Sequence, residues 1–366
     1  MNQKQIEVAK QSMIEWLAHP QELGKKPSKI ECAGEFDLHD LHYYIFKYKK
    51  SMLGKWLIGV CGGFEGDELE HCGHVFSDMQ EYNEASAEED AAAMVEMIRS
   101  YWMERAEEAE KQKENAGTFV NFVLLKEPVW DKEAFLKQLK DDWQIEDEGL
   151  EDDGSEDKED YEDIVIISCN DTIISVALVA APVPEEEAEF HAKSNYTWKE
   201  AVENVKKHKA HLMVAVMGKD VSAMESGEML VKTNVSLCRQ GGVIGIYANQ
   251  TVYQPELYLD FAKIFEEDGF PIFNLVWFGL YKGNKGMCAY TCGMRDFGYD
   301  EMEVIDSSVD SQELFEFISD IANYVIFDDV ILRDGETIGF SEEQKLPIRK
   351  SAGVAVEGES LKIGYP

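Results

Sequence analysis

Residues 211–218, HLMVAVMG, form an apolar run that follows the basic segment VKKHKA and ends at a glycine. Such a short, nearly continuous apolar run is typical of a buried strand. The run TFVNFVLL at 118–125 has the same character, and residues 163–180 predict a hairpin because Asn170-Asp171 favours a tight turn. Helical patterns lie between these strands, at 131–143 and 195–208. We therefore predict the order β-α-β-β-α-β over residues 117–220.

The same order of elements recurs towards the C-terminus. A connecting helix is expected near Ser222 to Gln240, and the later segments are VIGIYA (243–248), PELYLDFAKIFEED (255–268), PIFNLVWFGLY (271–281), GMCAYTCGMRD (286–296), SQELFEFISDIANYVIF (311–327) and DVILRD (329–334). The predicted fold class is α+β, with tandem split β-α-β units of the ferredoxin-like βαββαβ type and mainly antiparallel sheets. The tail is expected to add one or two short strands at an edge.

A smaller α+β unit is predicted ahead of these two. It has a helix over 3–18, an antiparallel meander formed by KIECAGEF, HYYIFKYKK and KWLIGVCGGF, and a long helix from about 85 to 112. The apolar stripe of the long helix comprises Met94, Met97, Ile98, Tyr101, Trp102 and Arg105. We predict three domains, at 1–116, 117–220 and 221–366, with an acidic loop at 144–163 that is too charged to bury.

The charge balance restricts the class of partner. The chain carries 72 acidic and 35 basic side chains, a formal net charge of -37, and 45% of its residues are hydrophobic. Such a charge repels phosphate backbones and anionic headgroups, so neither a nucleic-acid partner nor a membrane partner is expected. The same charge attracts a basic protein or a cation, although solubility and a solvated acidic surface are the favoured explanation for it.

Cysteine usage and the N-terminus indicate the compartment. The seven cysteines occur singly, without the dense paired framework of a secreted domain, and we expect them to be reduced. Residues 1–21 contain no continuous apolar segment, and no later segment runs far enough without charge to span a bilayer. We expect a cytoplasmic protein.

The first unit contains the sharpest candidates for a metal site. Its imidazole and thiol groups, which suit zinc, are those of His39, His42, His71, His74, Cys32, Cys61 and Cys72. One hypothesis is therefore a metal-dependent hydrolase. The cysteines lack a knuckle spacing such as C-x-x-C, however, which favours surface and strand-end positions for these residues.

The remaining polar candidates have structural explanations. His208 and His211 flank the junction of a helix and a strand, where capping accounts for both. Cys288 and Cys292 share one face of a strand, and Cys169 has no adjacent histidine or helix N-terminus to activate it. The glycine-rich segments at 59–66 and 239–250 lack a P-loop lysine and the G-x-G-x-x-G spacing. We assign no catalytic, cofactor-binding or metal residue and expect no cofactor.

Three segments carry a resemblance to a known family. They are ALVAAPVPEEEAE (177–189), HKAHLMVAV (208–216), and the run from MRDFGYDEMEVIDSS (294–308) through VILRDGETIGFSEEQKLPI (330–348). Over about residues 118–348 the chain resembles an uncharacterised bacterial family, domain of unknown function 4261. The resemblance implies no activity and no site residues. Some relatives are similar to proteins found beside toxin and immunity genes. The leading hypothesis is a non-enzymatic, protein-binding or regulatory (immunity-like) module, and it rests on the net charge, the α+β scaffold and the absence of a catalytic motif.

Overall fold

The computed structural model describes residues 2–20, 22–113, 116–149, 163–341 and 344–366 of the chain. The chain divides into two compact units, Met1–Glu110 and Lys111–Pro366. Both contain helices and mainly antiparallel sheets, which confirms the predicted α+β class. No helix in these ranges is both long enough and apolar enough to cross a membrane. Most of the predicted acidic loop, residues 150–162, lies outside the described residues.

The first unit contains a four-stranded antiparallel sheet in the order β1-β2-β3-β4. The predicted three-stranded meander is present, and a fourth strand extends it. The elements are α1 (Gln3–Ala18), β1 (Lys29–Leu38), β2 (Leu41–Lys49), β3 (Leu57–Phe64), β4 (His71–Phe76) and α2 (Ala87–Lys113).

Helices cover both faces of this sheet. Because side chains alternate along a strand, Tyr44 and Phe46 of β2 face one way and share a core with Ala9 of α1. Ile45 faces the other way and shares a core with Met94 of α2. The central strand is therefore buried on both sides, which explains its nearly continuous apolar sequence.

The second unit contains two six-stranded sheets, in the orders β10-β9-β5-β8-β7-β6 and β11-β12-β13-β16-β15-β14. Every pair of neighbouring strands is antiparallel except β13 and β16. The strands are β5 (Thr118–Leu125), β6 (Ile164–Cys169), β7 (Thr172–Val179), β8 (Ala210–Gly218), β9 (Val243–Ala248), β10 (Thr251–Tyr253), β11 (Trp277–Lys282), β12 (Met287–Cys292), β13 (Met302–Ser307), β14 (Thr337–Ile338), β15 (Leu346–Ala352) and β16 (Glu359–Ile363). The α-helices are α3 (Lys132–Trp143), α4 (Glu187–His191), α5 (Ala201–Val205), α6 (Ala223–Cys238), α7 (Pro255–Phe261), α8 (Ile272–Leu275) and α9 (Ser311–Phe327).

Two helices organise the core of this unit. Helix α6 packs on β5 and β8, and α9 packs on β11 and β12. The predicted connecting helix begins where its sequence indicates, because Ser222 and Glu225 form a reciprocal capping box that satisfies two backbone N–H groups. Helix α9 has the bounds that its apolar periodicity predicts.

The βαββαβ repeats are not confirmed. In a split β-α-β arrangement β5 would lie beside β7, but β8 lies between them and pairs with both. Eight residue pairs, from Thr118–Met217 to Leu125–Ala210, define the register of β5 with β8. The order of elements along the chain does not specify which strands become neighbours, so the prediction of their pairing had no support beyond that order.

Several predicted boundaries also differ. The predicted helix at 195–208 is reduced to α5, and residues 329–334 form no strand because Asp329 has φ 52° and its carboxylate accepts a hydrogen bond from Tyr299. The sequence analysis missed β13, and β16 lies inside the third sheet instead of at its edge. The division into three domains stays a prediction. Strand β9, which belongs to the third predicted domain, pairs with β5 of the second predicted domain.

Candidate functional site

The histidines beside the opening strand are bound to the backbone. His208, 4% exposed, accepts a hydrogen bond from the Val183 N–H through Nε2, and its Nδ1 lies 2.6 Å from the Val205 carbonyl. His211 Nδ1 lies 2.9 Å from the Ala181 carbonyl, and burial lowers the pKa of its ring. Both rings therefore hold the segment around residues 181–183 against β8.

The four candidate histidines of the first unit bind separate partners. Their side-chain contacts are His39 Nε2 to Glu96 Oε1 at 2.7 Å, His42 Nδ1 to Asp37 Oδ1 at 2.7 Å, His71 Nε2 to Ser12 Oγ at 3.2 Å, and His74 Nδ1 to the Tyr43 hydroxyl at 3.2 Å. His71 contacts α1 and His74 stacks on Tyr43 beneath α2, so the two rings lie on opposite faces of the sheet.

The cysteines do not complete a metal site with these rings. Cys32 is half-buried, Cys61 is buried with its pKa raised by burial to about 12, and Cys72 is exposed. Within the described ranges, no three His, Cys, Asp or Glu side chains lie close enough together to hold one metal ion. The alternative of a metal-dependent hydrolase therefore finds no ligand cluster in this part of the chain.

A groove lies between β4 and α2 of the first unit. Its volume is about 670 Å³, within the range of typical ligand sites. We call it the β4–α2 groove, and its lining comprises residues 72–76 of β4 together with Met97, Ile98, Tyr101 and Trp102 of α2.

The groove forms because α2 continues beyond the residues that cover the sheet. Met94 and Val95 are buried against the strands, 4% and 1% exposed. One to two turns later the same apolar stripe presents Met97, Tyr101 and Trp102, which are 53%, 46% and 59% exposed. Isolated exposed apolar residues are common, but several that line one groove mark an interaction surface.

The opposite wall of the groove is an edge strand. Strand β4 is the last in its sheet, and among the described residues no strand pairs with its outer edge. Gly73 has φ +78° and interrupts the extended backbone, which leaves His74–Phe76 as the regular part of the edge. Unpaired strand edges carry free N–H and C=O groups that can pair with another chain.

The start of β4 packs closely against the neighbouring strand β3. The Cys72 Sγ lies only 1.9 Å from where a Cβ at Gly63 would be, so this site accepts no side chain without displacement of Cys72.

Burial lowers the pKa of His74, with smaller contributions from His71 and Arg99. The lining of the groove is mainly apolar, and the Arg105 guanidinium stacks on the Tyr101 ring at 4.2 Å.

Carboxylates flank both ends of β4. Glu65, Asp67, Glu68 and Glu70 precede the strand and are exposed, and the exposed Asp78 follows it. An apolar groove between acidic flanks complements a segment that is both apolar and basic.

The sequence analysis placed the α2 residues of this groove on one apolar stripe. Met97 and Trp102 lie at helical spacing from Met94, so periodicity alone places all three on one face. The signal that distinguishes them is length, since a 27-residue helix is longer than a face of four short strands.

The comparisons with known proteins concern the other unit. No curated protein and no solved structure matches the chain. The segments quoted at 177–189 and 208–216 lie outside the matched family residues, whereas the run at 294–308 through 330–348 lies inside them. Residues 290–364 match the family described as Domain of unknown function (DUF4261), which confirms the predicted resemblance over that segment.

Proposed function

We propose that the protein is a non-enzymatic protein-binding module, and that its β4–α2 groove takes an extended, basic segment of a partner protein. The observation that carries this proposal is the exposure of Met97, Tyr101 and Trp102 along a groove of about 670 Å³. Aromatic side chains supply much of the binding energy at protein interfaces, and methionine adapts to varied apolar partners.

The edge strand supports an extended conformation for the partner segment. A segment that pairs with His74–Phe76 would place alternate side chains into the groove and towards solvent. Its apolar side chains would contact Trp102 and Met97, and its basic side chains would lie near Glu68 and Glu70 at one end of β4.

The charge of the whole chain favours the same partner. A net charge of -37 accelerates encounter with a basic protein and disfavours acidic ones. The proposed role is regulatory or immunity-like, with a basic toxin as the partner, because some relatives of the family that the chain resembles are similar to proteins found beside toxin and immunity genes. We place this role in the cytoplasm, where the seven free cysteines would stay reduced.

Three matched peptides test the chemistry of the groove. One alternates lysine with leucine and phenylalanine, the second replaces each lysine by glutamate, and the third replaces each apolar residue by serine. We expect the full chain to bind the basic apolar peptide at least about tenfold more tightly than either of the others, measured by fluorescence anisotropy. Higher salt should weaken this binding without abolishing it, because part of it is apolar.

Two results would contradict the proposal. Equal binding of the basic serine peptide would show that charge alone is responsible and that the groove takes no part. Equal binding of the acidic apolar peptide would remove the role of the carboxylates that flank β4.

A further inference from the structure

A small polar cavity lies in the second unit, at the place where β9 ends beside β5. Its volume is about 10 Å³, enough for one water-sized occupant. Its polar lining comes from four separate segments of the chain and comprises Asn121, Asn249, Asn274 and Asp296.

Two of these amides are buried with atoms that form no hydrogen bond. Asn121 is 1% exposed, and neither its Oδ1 nor its Nδ2 has a partner among the described residues. Asn274 is 2% exposed; its Nδ2 donates to the Tyr258 carbonyl at 2.8 Å, but its Oδ1 has no partner in the described ranges. Buried polar atoms are nearly always satisfied, so these atoms indicate a ligand.

The groups left to face the cavity are mainly oxygen acceptors. The Asn249 Nδ2 donates to the Leu275 carbonyl at 2.6 Å, so the oxygen of that amide remains available. The Asp296 carboxylate forms no hydrogen bond or ion pair with the described residues. A water molecule donates two hydrogen bonds, fewer than the acceptors that line this cavity, whereas a cation can contact all of them.

The turn that carries Asp296 is firmly held. Glu301 accepts hydrogen bonds from the Gly293 N–H at 2.8 Å and the Thr291 hydroxyl at 2.7 Å. Gly293 has φ +120°, and a Cβ there would lie 2.4 Å from the Leu275 carbonyl oxygen, so a side chain would separate the turn from the cavity wall.

We propose that this cavity binds one calcium ion through Asp296 and the amide oxygens of Asn121, Asn249 and Asn274. Calcium accepts carboxylate, amide and backbone carbonyl oxygens in flexible geometries. Magnesium retains several of its waters and needs more room than a single-occupant cavity provides. The proposed site combines one carboxylate with neutral amides. A search of the sequence for metal-binding patterns of His, Cys, Asp and Glu therefore does not find it.

Calcium binding by the full chain tests this proposal. After treatment with a chelator, the protein is examined by equilibrium dialysis with calcium and by thermal unfolding with calcium, magnesium or sodium at matched ionic strength. Asp296→Asn removes the charged ligand at nearly constant volume, and Asp320→Asn, on the exposed face of α9, is the matched control. We expect one calcium site that the control retains and Asp296→Asn loses.

Calcium should also raise the unfolding temperature of the wild type and the control by about 5 °C or more when it is well above its dissociation constant. Magnesium should not reproduce this rise. The proposal is overturned if the wild type shows no calcium-specific rise, which would assign the cavity to a water molecule. It is equally overturned if Asp296→Asn binds as much calcium as the control, because the ion would then be held by other carboxylates of this acidic chain.

Discussion

Replacement of both Met97 and Trp102 by serine is expected to weaken binding of the basic apolar peptide by about 100-fold or more. The two side chains lie on the exposed wall of the β4–α2 groove and supply much of its apolar area. Because each is more than half exposed, their loss should change the free energy of unfolding little. The measurements are fluorescence anisotropy for binding and urea denaturation for stability.

A matched pair in the second unit provides the control. Met213 and Phe190 are 41% and 63% exposed, so their replacement by serine removes one exposed methionine and one exposed aromatic residue from another part of the surface. This control variant should bind like the wild type. If the control pair weakened binding as much as the groove pair, binding would depend on general surface hydrophobicity, and the assignment to the groove would be wrong.

Replacement of Glu303 by leucine is expected to lower the free energy of unfolding by about 3–5 kcal/mol. The Glu303 side chain is fully buried and forms an ion pair with Lys362 at 2.8 Å. It also accepts hydrogen bonds from the Ser360 hydroxyl at 2.5 Å and the Ala355 N–H at 2.7 Å. These contacts join β13, β16 and the turn before β16, so leucine would leave Lys362 without its counter-charge and the Ser360 hydroxyl and the Ala355 N–H without their acceptor.

The exposed Glu267 provides the control for this substitution. Glu267→Leu makes the same chemical change at the surface and should alter stability by less than about 0.5 kcal/mol. Urea denaturation of the full chain measures both variants. Equal, small effects would show that the ion pair between β13 and β16 does not stabilise the fold.

The Glu303 carboxylate also makes the stability of the fold depend on pH. Burial alone would raise the pKa of Glu303, but Lys362, Ser360 and the N–H groups of Ala355 and Val354 hold it below its ordinary value of 4.5. A lowered folded pKa gives stabilisation that is complete above pH 4.5 and is lost as pH falls through the folded pKa. The stability difference between wild type and Glu303→Leu should therefore shrink below pH 4.5.

Local structure was largely predictable from the sequence. Helix α9 follows from an apolar stripe over residues 311–327. Helix α6 follows from the apolar stripe of its own segment and from the capping box formed by Ser222 and Glu225. The hairpin of β6 and β7 follows from Asn170-Asp171, where both residues have positive φ. These features depend on residues close together in the chain, which periodicity and turn chemistry describe well.

The pairing of strands was not predictable in the same way. Strand β13 contains the buried Glu303, and a carboxylate in a short strand obscures the apolar alternation that would indicate it. The insertion of β8 between β5 and β7 depends on contacts between residues far apart in sequence. Neither fact leaves a signal in a window of a few residues.

The candidate groove was hidden for a related reason. The apolar stripe of α2 predicts which side of the helix each side chain lies on. It does not predict where the sheet beneath the helix ends. Met94 is covered and Met97 is exposed, although both belong to one predicted stripe. The position of β4 determines where the cover ends, and the sequence signals this only through the length of α2.

Amide hydrogen exchange of the full chain, with and without the basic apolar peptide, tests the binding proposal most directly. The proposal predicts slower exchange at His74–Phe76 and in α2 around residues 97–102. At His74–Phe76 the carbonyl groups of the paired segment would accept hydrogen bonds from the outward N–H groups. Unchanged exchange along β4, with slowing confined to residues 111–366, would place the bound peptide elsewhere and contradict the proposal.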